Sequence, residues 1–330
     1  MPSRYLVTGG AGFVGSHLVL ALADRGDHVV VIDNLRTGHR AAVPQGVRLI
    51  EGGIGDAALL DRVLAENGGF VAVFHFAAWS QVGESMQMPM AYLLANVADG
   101  FRLIDACVRH GVRRFVLSST AALFGMPDRL PIEEDDRIDP VSPYGDSKHM
   151  LERALRWADR VHGMRSACLR YFNAAGSDPA GRAGEDHDPE THLIPLAIDA
   201  ALGRRPELTV FGDDWPTPDG TGVRDYIHVT DLADAHLCAL DVLADRSVTY
   251  NLGNGAGHSV LEVLRATGRV VGRPVPHTIG PRRAGDTAVL VASSARIARE
   301  TGWTPRYAAL DDMVVTAYAW RRDHPDGYGR

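Results

Sequence analysis

With 330 residues, 45% of them apolar and 23% charged, the chain can fill one large core or two smaller ones without disulfide staples. Its net charge of -7, from 34 basic and 41 acidic residues mixed along the whole length, leaves no basic stripe for a nucleic-acid backbone or an anionic membrane, so neither partner is expected. Three cysteines, Cys107, Cys168 and Cys238, lie in apolar runs and are too few and too scattered for a disulfide framework or a zinc site; they read as reduced core residues, and no metal is expected.

The first residues run straight into a strand pattern with no charged leader, and no apolar run reaches the roughly 20 residues of a membrane span. The cytoplasm is the expected compartment. Short β-branched runs at 5–7, 29–32, 47–50, 71–74, 115–117 and 167–169 alternate with longer segments of helical period. That alternation predicts βαβ units and a parallel sheet, an α/β chain of the doubly wound, Rossmann-like kind.

The first strand leads into Thr8-Gly9-Gly10-Ala11-Gly12-Phe13-Val14-Gly15, and a helix follows. Glycines 9, 12 and 15 let backbone approach a pyrophosphate lying over a helix N-terminus, whose amides and dipole favour negative charge. Asp33 closes the second strand 18 residues after Gly15, near the roughly 20 expected for an acid that holds a ribose. A carboxylate there accepts from ribose hydroxyls and repels a 2'-phosphate, which favours NAD over NADP. Arg36 and Arg40 keep NADP open as the alternative.

Farther on, Leu93, Leu94, Val97, Phe101, Ile104 and Val108 recur at helical spacing opposite Asp99, Arg102, Asp105 and Arg109. The stripe reads as core packing, with a subunit interface as the alternative. Ser118-Ser119-Thr120 ends the fifth strand, the edge at which open α/β sheets bind ligands. Thr120 there can share a proton with a substrate oxygen.

In Ser142-Pro143-Tyr144-Gly145-Asp146-Ser147-Lys148, the proline lets a helix begin and the tyrosine sits four residues before the lysine, on one helical face. A free phenol ionises near ~10. An adjacent ammonium and an oxidised nicotinamide would stabilise the phenolate and lower that value, making Tyr144 a candidate base for a sugar hydroxyl. Beyond about residue 172, loops rich in Gly, Pro and Asp announce a second, smaller lobe. The expected division is a dinucleotide-binding unit over 1–172, with a returning segment at about 223–252, and a substrate lobe over 173–222 and 253–330.

The glycine triplet, Asp33, the Thr120, Tyr144 and Lys148 set, Arg170-Tyr171-Phe172-Asn173, and Gly222-Val223-Arg224-Asp225-Tyr226-Ile227-His228 occur in that order. With them the chain resembles the extended short-chain dehydrogenase/reductases and, more narrowly, the UDP-glucose 4-epimerase family, essentially end to end. The resemblance implies a tightly held NAD that takes hydride from C4 of a UDP-hexose while Tyr144 takes the hydroxyl proton. The 4-ketose then swings over and hydride returns to its opposite face. It further implies cofactor contacts at Phe13, Val14, Asp33, Asn34, Leu35, Arg36, Thr37, Gly38, Gly53, Ile54, Phe76, Ala77, Ala78, Trp79, Ser80, Asn96 and Phe172, besides Thr120, Tyr144 and Lys148.

On the substrate side it implies Thr120, Tyr144, Asn173, His192, Leu193, Phe211 as the uracil-stacking ring, Arg224 and Arg283 on the diphosphate, Asp286 on the uridine ribose, and Leu290 beside the sugar's C2 substituent. The family pattern is departed from at Gly53, where an aspartate usually holds the adenine amine, at Ser80, where some members carry lysine, and at Phe124, where tyrosine is usual. Leucine at 290 ranks UDP-glucose and UDP-galactose ahead of N-acetylated sugars. A homodimer through the helices of 90–110 and 147–162 is implied as well. Three alternatives stand: a 4-epimerase of another nucleotide sugar (a UDP-N-acetylhexosamine, UDP-pentose or UDP-uronate), a nucleotide-sugar 4,6-dehydratase, and a non-catalytic NAD sensor. Ala121 and Ala122 argue against the second, since neither can move the proton that water elimination requires.

Overall fold

A computed structural model describes residues 2–66, 69–283 and 286–329. Its larger layer is a sheet of seven parallel strands: β1 (Arg4–Thr8), β2 (His28–Asp33), β3 (Arg48–Glu51), β4 (Ala72–His75), β5 (Arg114–Ser118), β6 (Arg165–Tyr171) and β7 (Val248–Leu252), in the spatial order β7-β6-β5-β4-β1-β2-β3. The chain winds outward from β1 to β3, returns to β4, and winds the other way. The crevice between β1 and β4 is therefore the switch point where such sheets take ligands.

Central strands read as unbroken apolar runs because both faces are covered. On one face α1 (Phe13–Asp24) and α2 (Val229–Val242) bury Leu18, Val19, Leu22, Leu232 and Leu240 against Tyr5, Val7 and Phe74. On the other, α3 (Ala57–Leu64), α4 (Asp99–Arg109) and α5 (Pro143–His162) bury Leu60, Val63, Leu103, Cys107, Leu151 and Leu155 against Leu6, Ile32 and Val73. Cys107 and Cys168 are buried, Cys238 is half-buried, and all three are free thiols.

Two expectations change here. The stripe over 93–108 is not one continuous α-helix: Leu93–Ala98 forms a π-helical segment ahead of α4. The wider turn shifts the register, so Leu94 is 65% exposed and Phe101 43% exposed, while Val97 and Ile104 of the stripe stay buried and Leu103, Ala106 and Cys107 join them in the core. The returning stretch is also divided. Residues 248–252 join the large sheet as its edge strand. Residues 223–228 form β8 (Val223–His228) of a smaller sheet, beside β9 (Asn173–Ala175), β10 (Gly257–Ser259) and β11 (Val289–Leu290).

That smaller sheet packs with α6 (Leu193–Ala201), α7 (Val260–Val271) and α8 (Leu310–Asp323) around Ile198, Tyr226, Val263 and Met313. Among the described residues, no helix is long and apolar enough to cross a membrane.

Candidate active site

The turn between β1 and α1 is built as a cradle. Gly9 has φ +74°, and a Cβ on it would lie 2.4 Å from the Ala77 nitrogen; one on Gly15 would lie 2.1 Å from the Gly9 carbonyl. Both glycines are required for strand, turn and helix to approach one another. Gly12 differs, since a Cβ there would meet only the Gly9 oxygen at 3.4 Å, so its outer side is open. It caps α1 without a side-chain bond, and the helix's first turn holds no acid. The amides of Phe13, Val14 and Gly15 thus open α1 where a pyrophosphate would meet them.

Asp33 is buried at the end of β2, with Oδ2 accepting from the Ala11 N–H and Oδ1 from the Leu35 N–H, each at 2.9 Å. Burial raises its pKa, opposed by those two backbone bonds. Leu35 adopts φ +56°, a left-handed conformation unusual for leucine, which turns its N–H onto the acid. The following loop, Asn34 to Gly38, closes tightly over the turn: a Cβ on Gly38 would come within 2.9 Å of Ala11.

Neither arginine of the NADP alternative is free. Arg36 stacks 3.3 Å from the Trp79 ring centroid and pairs with Glu84 at 3.4 Å, and Arg40 pairs with Glu51 at 2.6 Å. These residues fit a dinucleotide whose ribose hydroxyls meet Asp33.

Around the other side of the switch point, β4 continues through Phe76 to Ser80. Phe76 and Ala77 donate to the Thr8 carbonyl, and Ser80 is exposed. The Asn96 amide is engaged with this segment. Its Oδ1 accepts from the Trp79 N–H at 2.8 Å, and its Nδ2 donates to the Trp79 carbonyl at 2.9 Å and to Ser147 Oγ at 3.1 Å. Asn96 therefore fastens the loop to α5, so its side chain acts through Trp79. Ile54 likewise points into the core, leaving only its backbone for a ligand, while the space over Gly53 is open.

Ser142 caps α5 by accepting from the Gly145 N–H at 3.1 Å, and Pro143 occupies the first turn, so Tyr144 sits where the helix begins. Lys148, one turn on, is 2% exposed and donates to the Ser118 carbonyl at 2.8 Å. Burial lowers its pKa to about 8. Burial pushes the Tyr144 phenol above its ordinary value, and a hydrogen bond with Thr120 works against that rise. The lowering of the phenol expected from the adjacent lysine is thus not a property of the chain alone. Thr120 is buried at the end of β5, with its Oγ1 accepting from the Ala122 N–H at 3.1 Å.

The second lobe brings together four of the residues the resemblance named. Arg283 lies 4.7 Å over the Phe211 ring and pairs with Asp286 at 3.1 Å, and Arg224 approaches the same carboxylate at 3.7 Å. Arg224 also donates to the Val223 and Thr287 carbonyls, each at 2.9 Å, which aims its guanidinium. Asn173 Nδ2 donates to the Asp225 carbonyl at 2.8 Å, tying β9 to β8. Leu290 and Phe172 pack against Phe124, Ile132 and Ala121.

That cluster accounts for Phe124: its ring is buried there under the Arg170 guanidinium at 5.2 Å. His192 caps α6 beside Leu193, but its ring bonds Glu185.

Sequence reading missed the scaffold beneath the site. Arg170 grips Glu152 through Nε at 2.9 Å and Nη2 at 2.7 Å, and donates to the Glu134 carbonyl at 2.9 Å. Ser119 Oγ donates to the same Glu152 at 2.7 Å, and Ser118 Oγ bonds the Tyr171 hydroxyl at 2.6 Å. Glu152 lies four residues beyond Lys148, on the face that carries Tyr144. That periodicity was the available signal.

A family model described as "NAD dependent epimerase/dehydratase family" matches residues 5–253. A UDP-glucose 4-epimerase of Halalkalibacterium halodurans is 47% identical over 325 residues, covering 98% of this chain and 97% of that one. Among solved structures, a UDP-glucose 4-epimerase from Brucella ovis in complex with NAD is 45% identical with a TM-score of 0.93, covering 96% and 98% of the two chains. One from Bifidobacterium longum in complex with NAD+ and UDP is 37% identical with a TM-score of 0.93, covering 98% and 100%. Glycine cradle, helix-borne tyrosine and lysine, and relatives matched along almost the whole length agree: the chain belongs to the NAD dependent epimerase/dehydratase family, in its UDP-glucose 4-epimerase branch.

Proposed function

We infer that the protein is an NAD-dependent isomerase that interconverts UDP-glucose and UDP-galactose at C4. The observation that carries the reading is the pairing of two half-sites. Thr120, Tyr144 and Lys148 stand at the edge of the large sheet beside the Asp33 cradle, and Phe211, Arg224, Arg283 and Asp286 cluster on the smaller lobe. NAD, when bound, supplies the hydride acceptor and a positive ring charge. The chain supplies the rest.

In this reading Tyr144 takes the C4 hydroxyl proton and Thr120 shares it, while Lys148 holds the strand end and adds positive charge near the phenol. The guanidinium fork of Arg224 and that of Arg283 hold the diphosphate, Asp286 accepts from the uridine ribose, and Phe211 stacks on the base. Gripping the nucleotide and leaving the hexose loosely held lets the 4-keto sugar turn over before hydride returns. The proposed substrate lobe is built from residues 173–222 and 253–330 together with the β8 strand that carries Arg224, so only the later part of the returning segment belongs to the dinucleotide-binding unit. Three free thiols fit a reducing compartment such as the cytoplasm.

Purified protein given UDP-galactose without added cofactor is expected to form UDP-glucose, followed by NMR. No conversion by protein that carries NAD would overturn the reading. In the same assay, UDP-N-acetylgalactosamine is expected to turn over more slowly, because the resemblance sets Leu290, a bulky side chain packed with the Phe124 cluster, beside C2. Equal rates would reject that ranking.

The protein is also proposed to pair with a second copy through α4, α5 and the π-helical segment. Leu94 and Phe101 project there, and Trp157 and Val161 on α5 are 62% and 65% exposed. Side chains of that size left in water on adjacent helices favour burial against a partner. Light scattering is expected to give twice the 35.6 kDa chain mass. A monomer at micromolar concentration would remove this interface.

A further inference from the structure

We propose that Glu185, His187, Glu190 and His192 form a binding site for one divalent transition-metal ion, with zinc the best match. One donor atom from each of the four lies within 4.8 Å of the other three. Around a tetrahedral zinc with bonds of about 2.0–2.1 Å, donors stand roughly 3.3 Å apart. Two of the separations are already near that value, His187 Nδ1 being 3.5 Å from Glu185 Oε1 and 3.4 Å from Glu190 Oε1. His192 Nδ1 contacts the same Glu185 oxygen. Small rotations about the side-chain torsions would complete the set.

Independent of this proximity, the polar atoms here are left over. Glu190 Oε1 accepts from the Thr191 and His192 N–H groups at 2.8 and 2.9 Å, but Oε2 is buried without a hydrogen-bond partner, on a side chain only 8% exposed. His187 Nδ1 is buried without one too. Its 3.4 and 3.5 Å approaches are longer than a good N–H···O bond. Glu185 is 4% exposed, so two carboxylates share one sheltered place; in the metal-free chain they hold the His187 and His192 rings toward the protonated form, and a divalent ion would take over that compensating charge. Two imidazoles with two carboxylates form an N/O donor set suited to zinc, whereas magnesium and calcium take oxygen shells. The partly exposed His192 ring gives an ion a way in.

The location gives such an ion a structural task. His187 meets the Phe13 ring edge-on at 6.3 Å, and His39 Nε2 bonds the Asp186 carbonyl at 3.1 Å. An ion at these four residues would clasp the 185–192 loop against the glycine turn and the loop that follows Asp33.

The test reads metal rather than turnover, so its outcome is separate from that of the epimerase reading. Holoprotein is stripped with a chelator, dialysed and titrated with Zn2+ against a chromophoric competitor, and bound metal is counted by mass spectrometry. One zinc per chain is expected for the wild type, with affinity in Glu190→Gln and in His187→Gln lowered by at least the roughly 10–100-fold that loss of a mere outer-shell partner costs. Substoichiometric zinc in the wild type at micromolar free ion would overturn the site, as would variants that bind as tightly. Should either variant fail to fold, Co2+ loading of the wild type decides: tetrahedral-type visible absorption supports the site, and its absence rejects it.

Discussion

Tyr144→Phe is expected to lower kcat by about 10²–10⁴-fold, the range a positioned acid–base group contributes, while NAD stays bound. The change deletes one oxygen from a ring set in the first turn of α5 and leaves Ser142, Pro143 and the Lys148–Ser118 bond in place. A rate within tenfold of wild type would show that another group moves the proton.

The charge state of that oxygen carries a second expectation. In the chain alone burial lifts the phenol and brings the Lys148 pKa down to about 8. A phenolate exists only above its own pKa and an ammonium only below its own, so the two working charges do not coexist until further positive charge brings the phenol down. Spectroscopic titration of the phenol is therefore expected to have a lower midpoint with oxidised than with reduced cofactor bound. Coincident midpoints would place the activating charge elsewhere.

The largest stability effect is expected at the Glu152–Arg170 pair. Its side chains are 4% and 5% exposed and hold each other bidentately. Glu152→Ala leaves a buried guanidinium uncompensated and frees Ser119, so a loss of about 3–5 kcal/mol is expected from denaturant midpoints. Replacing both partners, Glu152→Leu with Arg170→Met, removes the stranded charge and is expected to recover most of that loss. If Glu152→Ala cost under about 1 kcal/mol, within the range of an exposed pair, the pair would not be what anchors β6 to α5.

The cradle, Asp33 and the tyrosine–lysine face were legible because each is local: a turn, a strand end and a one-turn helical spacing. The second-lobe arginines were legible only through resemblance, since an isolated arginine carries no sign of where its guanidinium points. Of the RDYIH block, Arg224 alone reaches the cluster of Phe211, Arg283 and Asp286. Asp225 accepts backbone N–H bonds from Asn254 and Ala292, and His228 bonds Thr316 and stacks on Tyr307. Much of that motif's specificity is thus architectural.

By itself the sequence determined the alternation of strands and helices, the dinucleotide turn, the preference for NAD and the position of the candidate base, because period, glycine placement and helix caps act over a few residues. Tertiary structure alone decided that Arg36 and Arg40 are claimed by Glu84 and Glu51, that a π-helical turn rotates Leu94 and Phe101 into solvent, and that Glu152 meets Arg170 beneath the site. It also brought two glutamates and two histidines of one loop together. Each of these depends on which distant groups the packed chain leaves within a few ångströms, a quantity that no local pattern encodes.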